Sequence, residues 1–313
     1  MMEPAKTAAT DIPTDHWIDR YAPRAARPYL RLARIDRPIG AWLLLLPCWW
    51  GMTLASPGLT NVAQLVPFFV LFGVGSLVMR GAGCTVNDIA DRDFDAQVAR
   101  TSTRPIASGA VSLPRAVAFI VLQLLIGLGI LLSFNRFTIA LGVVSLALVF
   151  AYPFMKRITY WPQAFLGVTF NWGALMGFAA VTGSLAPPVL ALYAGGIAWT
   201  LGYDTVYAHQ DKEDDARLGL KSSALKLGDA TRPYLFLFYG LTIALMALAG
   251  HLAAIGWPYY VFLGLGAAQL FWQAGRVDFD NPGDCLAKFR SNRIFGWIVL
   301  AGLIAGQLTN RGL

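Results

Sequence analysis

The chain has 313 residues, of which 56% are hydrophobic and only 14% charged, against about 25% charged in an average soluble domain. With a mean hydropathy of +0.53, this excludes a soluble globular protein and predicts an all-α integral membrane protein. The net charge of +7 suits loops lying beside anionic headgroups, so a nucleic acid partner is unnecessary.

Met1 to Asp15 reads as a disordered tail. It has no apolar core resembling a signal sequence, and Glu3, Asp11, Asp15 and Asp19 argue against an acid-poor transit peptide. From Trp17 to Arg37, arginines alternate with aromatics and leucines, as in a segment lying along the inner membrane interface; a topogenic arginine cluster explains most of them equally well. Nine apolar runs follow, at 39–56, 61–84, 115–133, 137–154, 163–182, 187–208, 233–252, 257–274 and 294–309. A hydrocarbon core of ~30 Å takes about 20 helical residues to cross, so the expected organisation is a tail and interfacial segment at 1–37 and a single bundle of nine transmembrane helices at 38–313.

Charge placement supports this count. With the N-terminus inside, 23 of the 25 Lys and Arg and all 18 Asp and Glu fall on the cytoplasmic side, leaving Arg136 and Arg311 outside and the C-terminus periplasmic. The cations follow the topogenic rule. Acidic residues have no such obligation, and their concentration needs another reason.

That reason begins in the first aspartate-rich loop, Gly81 to Gly109. Asn87, Asp91 and Asp95 recur every four residues, which on an α-helix stacks their side chains along one face with a drift of about 40° per step. Carboxylates so placed repel by roughly 3 kcal/mol at ~6 Å and an effective dielectric of ~20. A hard cation relieves this, and Mg²⁺ is usually held by one or two carboxylates together with substrate phosphates. Arg100 and Arg104 follow, again four apart, as guanidinium forks suited to phosphate oxygens. The stretch reads as a metal and diphosphate site.

Further along, Cys48, Cys84 and Cys285 show no paired spacing and read as small apolar residues. Between the fourth and fifth runs, Lys156 and Arg157 close the sequence YPFMKR. They serve topology, or Lys156 completes a diphosphate clamp while Arg157 binds a second anion such as a carboxylate. The second aspartate-rich loop runs from Tyr203 to Asp215, with Asp211 and Asp215 again four apart and Arg217, Lys221 and Lys226 behind them. Four spans separate the two loops, an even number, so both open on the same side. Each then holds one cation, with a diphosphate bridging the pair. His209 beside Asp211 is a proton acceptor or a surface residue. Asp278, Asp280 and Asp284 surround Asn281-Pro282-Gly283, which forces a turn and makes that loop structural.

The NDxxDxxxD pattern at Asn87 to Asp95 with Arg100 and Arg104, and YDxxYAxxDxxDD at Tyr203 to Asp215, resemble the two aspartate-rich motifs of the UbiA superfamily of intramembrane prenyltransferases. Arg34-Ile35-Asp36-Arg37-Pro38-Ile39-Gly40, Leu46-Pro47-Cys48-Trp49-Trp50, YPFMKR and Trp161-Pro162-Gln163 are similar to the bacterial and mitochondrial branch that prenylates 4-hydroxybenzoate in ubiquinone biosynthesis. The resemblance implies that Asn87, Asp91 and Asp95 hold one Mg²⁺ and Asp211 and Asp215 another, these four aspartates being the catalytic carboxylates. It also implies that Arg100, Arg104 and Lys156 clasp the diphosphate of a polyprenyl diphosphate, and that Arg157 meets the aromatic acid, in a bacterial cell inner membrane. Asp88 is an extra carboxylate behind the metal ligands; Asp93 and Glu213 receive no role. Other acceptors (haem, a naphthoate, homogentisate, a glycerol ether lipid) share the metal motifs. An anion transporter would place its site near the midplane, and a structural subunit would leave the acidic clusters unexplained.

Overall fold

The computed structural model describes residues 16–60, 62–98 and 101–309. The tail at 1–15, Arg100 and Arg311 lie outside these residues. The described chain is helical: α1 (Trp17–Tyr21), α2 (Arg27–Leu32), α3 (Ile39–Leu54), α4 (Val62–Ala90), α5 (Arg92–Asp95), α6 (Leu113–Leu131), α7 (Arg136–Ala151), α8 (Met155–Ile158), α9 (Pro162–Thr182), α10 (Pro187–Ala208), α11 (Lys212–Arg217), α12 (Ser223–Leu227), α13 (Thr231–Leu252), α14 (Pro258–Arg276) and α15 (Pro282–Thr309). Among the described residues no strand occurs.

Each apolar run of the sequence coincides with one long helix. Five stretches are long and apolar enough to cross a membrane, namely Leu65–Ala90, Leu113–Leu131, Arg136–Ile158, Pro162–Thr182 and Ser223–Leu252, with Ile39–Leu54 a shorter apolar helix. Large apolar side chains such as Val70, Leu125, Val144, Leu237 and Leu265 are exposed, as lipid contact requires. The chain is an integral membrane protein. α15 begins twelve residues before its apolar run, because Pro282 sits in the first turn and Asn281 Oδ1 accepts from the N–H groups of Gly283 and Asp284 at 3.0 and 3.2 Å.

Contacts divide the chain into two compact units. One comprises Met1–Gly40 and Leu77–Leu128, the other Ala41–Ser76 and Gly129–Leu313.

In the larger unit α10 packs on α9, α13 and α15, α14 on α13 and α15, and α7 on α9. Lipid offers helices little hydrophobic drive to associate, so close backbone approach and interhelical hydrogen bonds matter more than in water. Both occur here. A Cβ built at Gly51 overlaps the Ala174 carbonyl oxygen, and one at Gly177 overlaps that of Cys48, so only glycine permits this crossing of α3 and α9. Trp50 Nε1 donates to the Gly296 carbonyl at 2.9 Å and Gln307 Nε2 to that of Thr53 at 3.1 Å, fastening α3 to α15. Deeper in, Gln273 Oε1 accepts from the Tyr239 hydroxyl and from Asn292 Nδ2, while Asn292 Oδ1 accepts from Trp199 Nε1. This network joins α10, α13, α14 and α15 through buried polar groups that satisfy one another.

In the smaller unit Leu32 of α2, Val111 and Ala116 form a buried apolar cluster. α2 ends with the Ile35 N–H bonded to the Leu30 carbonyl and the Arg34 N–H to that of Arg31, each at 3.0 Å. This is a Schellman closure, with Arg34 in the left-handed region at φ 59° where glycine is the usual occupant.

Candidate functional site

In the smaller unit the first acidic cluster lies across a bend. α4 stops at Ala90, Asp91 takes φ −102° and ψ 3°, and α5 resumes at Arg92. The helical ladder nonetheless continues through Asn87, Asp91 and Asp95: Asp91 N–H donates to the Asn87 carbonyl at 2.9 Å and Asp95 N–H to that of Asp91 at 2.8 Å. The i, i+4 relation read from the sequence therefore survives a break that no Gly or Pro announces. Asp91 and Asp95 are both buried, whereas Asp93 is exposed beside Arg92.

Arg104 is not on a helix. The chain after α5 returns in turns, the Thr101 hydroxyl donating to the Asp95 carbonyl at 2.9 Å and the Arg104 N–H to the Thr101 carbonyl at 2.9 Å. Arg104 Nη1 then donates to Asp95 Oδ2 at 2.9 Å and stands 3.4 Å from Asp88 Oδ1. Asp88, only 1% exposed, also accepts from Arg34 Nη2 at 2.7 Å. Burial pushes the Asp95 carboxyl above the usual carboxylate range; Arg104 opposes this, and the neighbouring Asp88 and Asp91 charges add to it.

Asp211 of the larger unit reproduces the conformation of Asp91. It is the last residue of a single 3₁₀ turn after α10, takes φ −111° and ψ 6°, and opens α11, which carries Asp215. Asp204, Asp211 and Asp215 are half-buried and Glu213 is exposed. Tyr207, one turn before Asp211, stacks on Phe289 at 4.6 Å, and the ring contacts continue through Tyr203 to Trp199. His209 is not at the surface: its Nε2 lies 3.1 Å from the Thr231 hydroxyl and its ring 4.5 Å from Phe279. Burial lowers its pKa to about 4, aided by Lys212 and opposed by Asp280.

Lys156 and Arg157 lie on α8 of the same unit, and the structure joins their loop to the cations trailing Asp215. The Lys221 N–H donates to the Lys156 carbonyl at 2.8 Å and Lys221 Nζ to that of Ile158 at 3.1 Å. Lys221 and Lys226 both lie over the Tyr160 ring, at 5.6 and 5.7 Å. The Arg157 guanidinium is exposed above Phe154. By contrast, Asp284 accepts from the Asp278 N–H at 2.9 Å and pairs with Lys288 at 2.9 Å, so the third acidic loop caps α15. The three cysteines are buried and unbridged.

In both units the donors are oxygens, the chemistry of a hard cation rather than a soft one. Among the described residues no three His, Cys, Asp or Glu side chains are grouped so as to hold a metal ion. Sequence reasoning overlooked Arg34 as a partner of Asp88, 54 positions away, and Asp36, whose buried carboxylate oxygens accept no hydrogen bond. Burial raises the Asp36 pKa against the pull of Arg37 and Arg34. The sequence marks Arg34 by its place in the 34–40 stretch, with nothing local to pair it with Asp88.

Comparison with known proteins gives one answer. The profile of the UbiA prenyltransferase family matches residues 44–299. The mitochondrial 4-hydroxybenzoate polyprenyltransferase of Arabidopsis thaliana is 52% identical over 293 residues, covering 93% of this chain and 71% of the relative. The 4-hydroxybenzoate geranyltransferase 2 of Lithospermum erythrorhizon is 50% identical, covering 93% and 94%. Among solved structures, the apo UbiA homolog of Aeropyrum pernix K1 superposes with a TM-score of 0.72 at 26% identity, over 85% of this chain and 97% of that one. The Archaeoglobus fulgidus UbiA homolog bound to GPP and Mg²⁺ has a TM-score of 0.63 at 17% identity, over 90% and 99%.

Proposed function

We propose, from the premise that this chain belongs to the UbiA prenyltransferase family, that it transfers a polyprenyl group from polyprenyl diphosphate to the 3-position of 4-hydroxybenzoate. Diphosphate is released, and the product serves ubiquinone biosynthesis. The observation that carries this reading is identity of about half, along nearly the whole chain, to relatives named for that acceptor. Residues 38–313 form the transferase domain, its nine long helices all crossing a bacterial inner membrane, with 1–37 and both acidic loops cytoplasmic and the C-terminus periplasmic.

Asn87, Asp91 and Asp95 would hold one Mg²⁺, and Asp211 and Asp215 would hold the second. When bound, the metal offsets negative charge on the departing diphosphate. Arg104, Arg100 and Lys156 donate to the diphosphate oxygens as the allylic C–O bond breaks with its electrons leaving on oxygen. The half-buried rings of Tyr207 and Phe289 offer π faces to the allylic cation, and the surrounding apolar helices keep water from it. Arg157 holds the carboxylate of 4-hydroxybenzoate. The carbon ortho to the hydroxyl then bonds to the prenyl C1 and loses its proton to restore the aromatic ring.

Membranes containing the protein, geranyl diphosphate, Mg²⁺ and labelled 4-hydroxybenzoate should yield lipophilic label that EDTA abolishes. Asp91→Ala and Asp211→Ala should remove it with the protein still folded. Label formed with another aromatic acid but none with 4-hydroxybenzoate would overturn the acceptor, and near-normal turnover by Asp91→Ala would overturn the metal assignment.

A further inference from the structure

Four charged side chains alternate in sign within the smaller unit: Arg34, Asp88, Arg104 and Asp95. Only the last two have a role in the reading above. An aspartate as buried as Asp88 is costly unless paired, and Arg34 supplies the pair at 2.7 Å. Arg34 does so from a left-handed backbone position, φ 59°, which disfavours any residue but glycine. The strained placement is kept where its guanidinium reaches Asp88.

Asp95 and Asp88 both hold Arg104, and these two holds differ in permanence. Asp95, if it is a metal ligand, would share its carboxylate charge between the cation and Arg104, and its hydrogen bond with Arg104 would weaken. Asp88 has no such second duty: its Oδ1 faces the two arginines and its Oδ2 accepts no hydrogen bond. We propose that Asp88 is the positioning residue for Arg104, fixed in turn by Arg34, and that it would keep the guanidinium aimed at the diphosphate when Asp95 is shared with a metal. The inference rests on the metal and diphosphate reading above.

The sign of one measurement separates this from simple electrostatics. Removing a negative charge near an anion site should strengthen anion binding; losing a positioning group should weaken it. Calorimetric titration of the purified full-length protein with inorganic diphosphate in Mg²⁺ should show Asp88→Asn binding about tenfold more weakly, the scale of one charge-assisted hydrogen bond, with partial recovery in Asp88→Glu. Asp88→Asn leaves Arg34 buried without its partner, so the double variant Arg34→Gly/Asp88→Asn removes both charges and places glycine at the left-handed position. It should keep the thermal stability of the parent and show the same loss. Diphosphate binding at or above the parent's level in the double variant overturns the proposal. Mn²⁺ titration of Asp91→Ala by electron paramagnetic resonance tests the underlying reading separately: one fewer bound Mn²⁺ than in the parent supports it, and an undiminished stoichiometry removes the reading and the inference together.

Discussion

Replacing Arg104 by Gln should move metal binding and turnover in opposite directions. Its Nη1 lies 2.9 Å from Asp95 Oδ2 and 3.4 Å from Asp88 Oδ1, so a cation that takes Asp95 first competes with the guanidinium. A charge-assisted hydrogen bond of this kind contributes about 1.5–3 kcal/mol. Without it the carboxylates also lose a screening charge, and at most about 6 Å apart they repel by roughly 3 kcal/mol at an effective dielectric of ~20. Both effects favour a divalent ion. Mn²⁺ affinity of Arg104→Gln, measured without diphosphate by electron paramagnetic resonance in detergent, should rise about ten- to a hundredfold. Its kcat/KM for the prenyl diphosphate should fall about 10²- to 10³-fold, the usual loss for one donor to developing negative charge. Unchanged or weaker Mn²⁺ binding would refute the competition, and unimpaired turnover would refute the diphosphate role.

Arg157→Ala should raise KM for the aromatic acid about tenfold or more, as loss of one charged hydrogen bond implies, with little change in KM for the diphosphate; steady-state kinetics with each substrate varied decides it. Gly177→Ala drives a Cβ into the Cys48 carbonyl and should cost about 1–3 kcal/mol, whereas Gly264→Ala in α14 meets nothing within 4 Å and should gain up to about 1 kcal/mol. Thermal unfolding in detergent compares the two. His209, lowered to about 4 from an ordinary 6.5, binds more protons unfolded than folded. Its contribution to stability is therefore complete above its ordinary pKa and is lost as pH falls from there through about 4. His209→Gln should flatten the melting temperature against pH over that window, and an unaltered profile would exclude the residue as its source.

Hydropathy located long helices because lipid demands apolar side chains wherever backbone groups must pair internally, and five of the described stretches are long and apolar enough to cross a membrane. It misplaced two ends. α4 continues past its apolar run through Asn87, and α15 starts at Pro282, since hydropathy reports the surroundings of a helix and not its hydrogen bonds. The polar cap at Asn281 was legible as a turn, though not as the start of α15. In the first cluster i, i+4 spacing correctly identified ladder neighbours, but Asp91 and Asp211 interrupt the helices without a Gly or Pro to show it. Arg34 and Asp88 meet across 54 positions, and no local pattern encodes that pairing. His209 looked exposed because its neighbours are charged; Phe279 and Thr231, both distant in sequence, cover it.

A bend made by proline or glycine is set by covalent geometry and persists whatever binds nearby. The bends at Asp91 and Asp211 are made by residues of ordinary backbone freedom, so their stiffness is borrowed from whatever their carboxylates grip. If the proposed ions bind at these residues, each short helix would be tied to the long helix before it through the ion as well as through the backbone, and its amides would exchange more slowly with Mg²⁺ present than without it.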